Sequence, residues 1–195
     1  MGKLTVGSNP TVSAGVRPPG IPGGRTTSYG ASMPAVPPVL PADHRHDDWM
    51  RLALDEARAA MAHGDVPIGA VVVGPDGEVL SARHNERELQ RDPTAHAEVL
   101  ALRDAAAHLG GWRLEGCLAV VTLEPCPMCA GALWAARIGG VVFGAVNDDA
   151  GALGTLHHLG QDPRLNHEFP VRGGVLAEES GELLRSFFAT RRAAH

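Results

Sequence analysis

His96 and Glu98 stand two residues apart in Asp92-Pro93-Thr94-Ala95-His96-Ala97-Glu98, and thirty positions after His96 comes Pro125-Cys126-Pro127-Met128-Cys129. One imidazole and two thiols are ligands that zinc favours. A catalytic zinc takes three protein ligands and leaves its fourth position to water. His96, Cys126 and Cys129 supply those three, and a metal held there lowers the pKa of bound water toward neutrality. Glu98 then has a role as the group that takes a proton from that water and passes it on. Two other readings compete. Cys-Pro-x-Cys is also a redox arrangement, but a redox pair belongs after the first strand of its domain and this one follows the third. A structural zinc needs a fourth ligand, and none is visible.

The elements around these residues follow from period and punctuation. Asp47 or Asp48 caps a helix with apolar Trp49, Leu52, Ala53, Ala57, Ala60 and Met61, ended by His63-Gly64. Val66–Val73 reads as a buried strand and Glu78–His84 as its hairpin partner, turned by Pro75-Asp76-Gly77. A polar loop, Asn85–Arg91, leads to a helix starting at Asp92-Pro93 and running to about Leu109. Cys117–Leu123 is a third strand, Pro127–Ile138 a helix, Val141–Gly144 a fourth strand and Val171–Leu176 a fifth. Residues 145–170 are irregular, with a helical turn around Leu153–Leu159, and Glu178–Arg192 is a closing amphipathic helix. A hairpin followed by strand–helix alternation implies a three-layer α/β/α domain on a mixed five-stranded sheet. Both ligand segments then open helices, where unpaired N–H groups favour thiolate over thiol.

Residues 1–43 differ in kind. They are rich in Pro, Gly, Ser and Thr, show no helical or strand period, and read as a disordered extension ahead of a domain over 44–195. Three cysteines, two of them in ligand spacing, exclude a disulfide scaffold and suggest a reducing compartment. No apolar run is long enough for a membrane span, so a cytoplasmic protein is expected. The net charge of -5 argues against a generic coat for nucleic acid, and no DNA partner is expected. Lys3, Arg17 and Arg25 against Asp43 make the first 43 residues +2 and leave the remainder about -7.

The combination His-x-Glu with Pro-Cys-x-x-Cys is similar to that of zinc-dependent nucleobase deaminases. The likeness extends much further. Val66-Pro67-Ile68-Gly69-Ala70-Val71, the Asp92–Glu98 string, Val121 to Ala132, Arg137-Ile138-Gly139, Val141 to Ala145, Asn166-His167, Phe187-Phe188 and Arg191-Arg192 resemble the bacterial tRNA-specific adenosine deaminases. The resemblance covers Trp49 to Arg192. It implies a cytidine-deaminase-like fold, one zinc per subunit, a homodimer, and hydrolysis of the wobble adenosine of an arginine tRNA to inosine. It also assigns His96, Cys126 and Cys129 to zinc, Glu98 to proton transfer and Asn85 to the flipped base. The Ala97 N–H would lie near the attacked carbon, and Phe188, Arg191 and Arg192 near the anticodon loop. Unpaired loop bases are cheap to flip, and aromatics with arginines suit single-stranded RNA.

One loop departs from that pattern: Val146-Asn147-Asp148-Asp149 carries two acids where some members are basic. Guanine deaminases of the same superfamily share the metal motifs, so a free purine is the alternative substrate. A non-catalytic zinc-stabilised interaction module is a further alternative, which would leave Glu98 without a task. Other candidates are given plainer roles. Cys117 fills the core, Met128 packs, and His44, His46, His63, His84 and His108 belong to surface or loops. His157 and His158 fall in the irregular segment with no metal role expected.

Overall fold

Alternate residues of the valine-rich runs point into different cores. In β1 (Gly69–Val73), Ala70 and Val72 join one apolar cluster, while Val71 and Val73 join another. The same alternation divides Ala119 and Val121 from Val120 in β3 (Leu118–Leu123), and Val141 and Phe143 from Val142 in β4 (Gly140–Ala145). A strand covered on both faces needs apolar residues at every position, which is why these segments lack polar alternation. The computed structural model describes residues 40–193.

The strands, with β2 (Val79–His84) and β5 (Val171–Arg172), form one sheet in the order β2-β1-β3-β4-β5. β1 runs antiparallel to β2 and β3, whereas β3, β4 and β5 are parallel. Helices α3 (Ala97–Leu109) and α4 (Pro127–Ala135) supply Ala101, Ala105, Ala130 and Leu133 to one face. On the other face α1 (Arg45–Ala60) supplies Met50, Ala53 and Leu54, and α5 (Ala177–Ala193) packs Leu183 beside them. The expected mixed five-stranded α/β/α arrangement is the observed one.

Several boundaries moved, each for a local reason. The helix expected from Asp92-Pro93 begins at Ala97 instead. The Asp92 carboxylate accepts from the Thr94 N–H and the Thr94 hydroxyl, both at 2.7 Å. That bond closes a tight turn in competition with helix. His96, extended at φ -75 and ψ 149, therefore holds the N-cap place. α1 starts two residues before Asp47, because Asp43 accepts the Arg45 N–H at 2.9 Å; Asp47 and Asp48 lie within its first turn. The polar loop Asn85–Arg91 contains a short helix, α2 (Arg87–Gln90). The fifth strand stops at Arg172, since Gly174 at φ +88 turns the chain toward α5. α4 ends at Ala135, and the helical turn expected near Leu153–Leu159 lies at Leu159–Gln161.

Two side chains also differ from expectation. His46 is buried against Trp49, and Met128 is exposed. Cys117 is buried as core filler. The Pro/Gly-rich extension expected over 1–43 lies outside the described residues up to residue 39. Leu40 packs against the α1-side cluster, and Asp43 accepts the N–H of Arg45, the first residue of α1.

Candidate active site

Two helices begin at one place. His96 is the N-cap of α3 and Cys126 the N-cap of α4, with Pro127 in the first turn and Cys129 one turn in. The α4 start is fed by the carboxyl end of β3, and the α3 start by the Asp92–Thr94 turn. His96 Nδ1 lies 3.5 Å from Cys129 Sγ and 3.9 Å from Cys126 Sγ. The three ligand atoms all fall within 4.8 Å of one another, and among the described residues they form the one such cluster. Tetrahedral zinc, with Zn–S about 2.3 Å and Zn–N about 2.0 Å, holds nitrogen and sulfur roughly 3.5 Å apart. The spacing fits the metal without rearrangement of either helix.

The charges fit as well. Hydrogen bonding with Cys129, and then with His96, pulls the Cys126 thiol down to about 4. Cys129 is pushed up by its bond to Cys126 and by burial. A divalent cation held there would displace any proton left on the pair. Glu98 is buried at 5% exposure, and its Oε2 has no hydrogen-bond partner. Burial raises its pKa above the carboxylate range, against the opposing pull of its own backbone N–H and of His96. An orphaned carboxylate oxygen two residues from a ligand is suited to a water or an amine. Ala97, fully buried, opens α3, where N–H groups lack partners in a preceding turn.

Asn85 is buried at 4% exposure. Its N–H bonds Ile68 O at 2.9 Å, and the next N–H, of Glu86, bonds Ala95 O at 3.0 Å, which ties this strand end to the residue before His96. Phe188 and Arg192 line a groove with Val66, Leu123, Ala145 and Asn147, at the carboxyl ends of β3 and β4. That is the sheet end that carries the metal ligands. Asp148 and Asp149, the acids of the departing loop, line the same groove as Arg192. Arg191 is placed differently. It lies over the Phe187 ring at 4.9 Å and donates to Gly64 O, at the end of the turn that follows α1.

Two acids that are all but fully buried went unnoticed in sequence. Asp65 is 0% exposed and Glu124 is 1% exposed. Glu124 accepts from Asn147 N at 3.2 Å, Leu153 N and Thr155 N at 3.0 Å, and the Thr155 hydroxyl. It holds the loop after β4 against the segment entering α4, where Ala152 N–H also bonds Pro125 O at 2.9 Å. Gly151 is required there, because a Cβ would run into the Glu124 carboxylate. Burial raises the Glu124 pKa, but bonds from Thr155, Asn147 and Leu153 outweigh it and leave the group lowered. The only sequence signal was an acid next to an apolar strand.

Comparison with known proteins agrees with the geometry. The family described as the cytidine and deoxycytidylate deaminase zinc-binding region matches residues 43–145. The chain is 49% identical over 140 residues to the tRNA-specific adenosine deaminase of Bacillus subtilis, covering 72% of this chain and 86% of that protein. A solved structure from work on A-to-I editing by tRNA:A34 deaminases at the wobble position of transfer RNA superposes with a TM-score of 0.68. It is 42% identical, over 70% of this chain and 99% of the other. Guanine deaminase from Nitrosomonas europaea superposes at 0.63 with 30% identity, over 79% and 88% of the two chains.

Proposed function

The chain belongs to the cytidine and deoxycytidylate deaminase zinc-binding family, and from that membership we propose that it is a tRNA-specific adenosine deaminase. Its reaction is hydrolysis of the wobble adenosine to inosine, with the arginine tRNA bearing anticodon ACG as substrate. The observation that carries this reading is the 49% identity to a tRNA deaminase, against 30% to a guanine deaminase that shares the fold.

His96, Cys126 and Cys129 are the residues that hold zinc, which when bound supplies the Lewis acidity that makes a water nucleophilic near neutral pH. Glu98 would take a proton from the attacking water at Oε2 and deliver it to the adenine ring nitrogen as the C–O bond forms at the attacked carbon. It would then carry the second proton, from the new hydroxyl, to the amine, which leaves as ammonia when the C–N bond breaks. The Ala97 N–H steadies the charge that develops beside it. Asn85 holds the flipped base, while Phe188 and Arg192 offer stacking and charge to the loop nucleotides.

Val99, Leu102 and Ala106 of α3 and Ala132 of α4, with the half-exposed Trp112 just beyond α3, form an apolar strip, and we assign it to the contact between subunits of a homodimer. No described helix is long and apolar enough to cross a membrane, and a tRNA substrate puts the enzyme in the cytoplasm.

The test is inosine formation in an anticodon stem-loop bearing ACG, with zinc-loaded protein, free guanine run in parallel and Glu98→Ala as the blank. Inosine at the wobble position alone is expected. Ammonia from guanine with an untouched stem-loop would move the enzyme to purine salvage.

A further inference from the structure

Asp65 is a fully buried carboxylate that four donors converge on. Asn85 Nδ2 lies 3.2 Å and Glu88 N 2.9 Å from its Oδ1, while Leu89 N at 3.1 Å and His63 Nδ1 at 3.0 Å meet Oδ2. Three of the four come from one short stretch, Asn85 to Leu89, more than nineteen residues downstream. Burying an unpaired charge is strongly unfavourable, so this one is kept only where its lone pairs are filled. The turn that carries it is itself held. Asp65 N–H bonds Ala60 O at 3.2 Å, and Gly64 O receives Arg191.

We propose that Asp65 is a positioning residue that locks the orientation of the Asn85 carboxamide and, through it, the face that meets the substrate base. A carboxylate only accepts, so Asn85 must turn its NH2 toward Asp65. Oδ1 and the second N–H are left as the free edge. Among the described residues Asn85 Oδ1 meets no donor, which leaves it open to a ligand. An acceptor beside a donor is the edge that complements the N6/N7 edge of adenine. A flipped amide would present the reverse order. A neutral amide in place of Asp65 would set its own NH2 against these donors or offer one acceptor where two are used. Glu86 N–H on Ala95 O then fixes the distance between this edge and His96.

The inference rests on the reading of Asn85 as a base contact, and the experiment separates the two. Asp65→Asn, Asn85→Ala and the double variant are loaded with zinc and assayed on the ACG stem-loop, with zinc content and thermal midpoint recorded. Each single change is expected to lower kcat by about 100-fold with KM changed far less. The double variant should be no slower than Asn85→Ala, because both act through one amide. Losses that multiply would overturn the proposal, as would Asp65→Asn with wild-type kcat beside a slow Asn85→Ala. Wild-type kcat in Asn85→Ala would remove the base contact itself. Should Asp65→Asn not fold, the wild-type protein answers by NMR. A resolved Asn85 side-chain NH2 pair, with one proton protected from exchange, is expected. An averaged, rapidly exchanging pair overturns the lock.

Discussion

His96, Cys126 and Cys129 come together because two helices begin at the same point, whereas Asn85 is placed by an acid twenty residues before it. The metal cluster is built from short-range parts. Each N-cap is set by its own neighbours, the Asp92–Thr94 turn on one side and Pro127 on the other. The walls beside the cluster are built from reach. Asp65 gathers the Asn85–Leu89 stretch, and Glu124 gathers Asn147, Leu153 and Thr155. Both devices place negative charge where water is scarce, but to different ends. In the cluster the charge sits on groups that could hold a metal. In the walls every lone pair is already filled, and the acid serves as a fixed post for loops that would otherwise have few apolar contacts.

The contrast can be broken most severely at the cluster. Cys129→Ser is expected to lose stoichiometric zinc and all measurable deamination, read by metal analysis beside inosine formation. Glu98→Gln separates chemistry from metal. It should retain zinc yet lose about 10²- to 10⁴-fold in kcat, the range for one acid–base group. Zinc loss in Glu98→Gln would instead make Glu98 part of the metal cage.

The walls should yield smaller and different effects. Glu124→Gln leaves donors of the loop after β4 without a full set of acceptors. It is expected to cost about 2 kcal/mol. That is roughly 4–8 °C in thermal midpoint for a chain of this size. The sign with pH follows from the lowered pKa of Glu124. A depressed carboxylate contributes its full stability above its unfolded pKa and loses it as pH falls through the folded value. The gap between wild type and Glu124→Gln should therefore be constant near neutrality and close only below the ordinary carboxylate range. A gap that widens on acidification would contradict this brace.

The smallest effects concern two adjacent arginines. Arg192 faces the groove, so Arg192→Ala should raise KM for the stem-loop a few-fold and reduce the slope of log affinity against log salt by about one. Arg191 is engaged by Gly64 O and the Phe187 ring. Arg191→Ala should lower the thermal midpoint slightly and leave the salt slope unchanged. Equal salt slopes for the two variants would erase the distinction.

The chain by itself determined the elements and the chemistry of the cluster. Short valine runs without polar alternation, bounded by turn residues, read as strands buried on both faces, and Pro-Cys-x-x-Cys after such a strand puts two thiols on one helix turn. Residue type and spacing also named the partner of that turn, His96, and its acid, Glu98, and the resemblance to tRNA deaminases assigned them the same roles. Proline marked both expected helix starts; the one at Pro127 is observed, whereas the one at Asp92-Pro93 was misread because the Asp92 side chain competes with helix. The walls were decided only by the tertiary structure. An acid next to an apolar strand looks the same in sequence whether it is solvated or receives four hydrogen bonds. Which it is depends on loops that arrive from twenty to thirty residues away. Arg191 and Arg192 show the same limit within two residues, since the helix turns about 100° from one to the next. One guanidinium meets the protein and the other the groove.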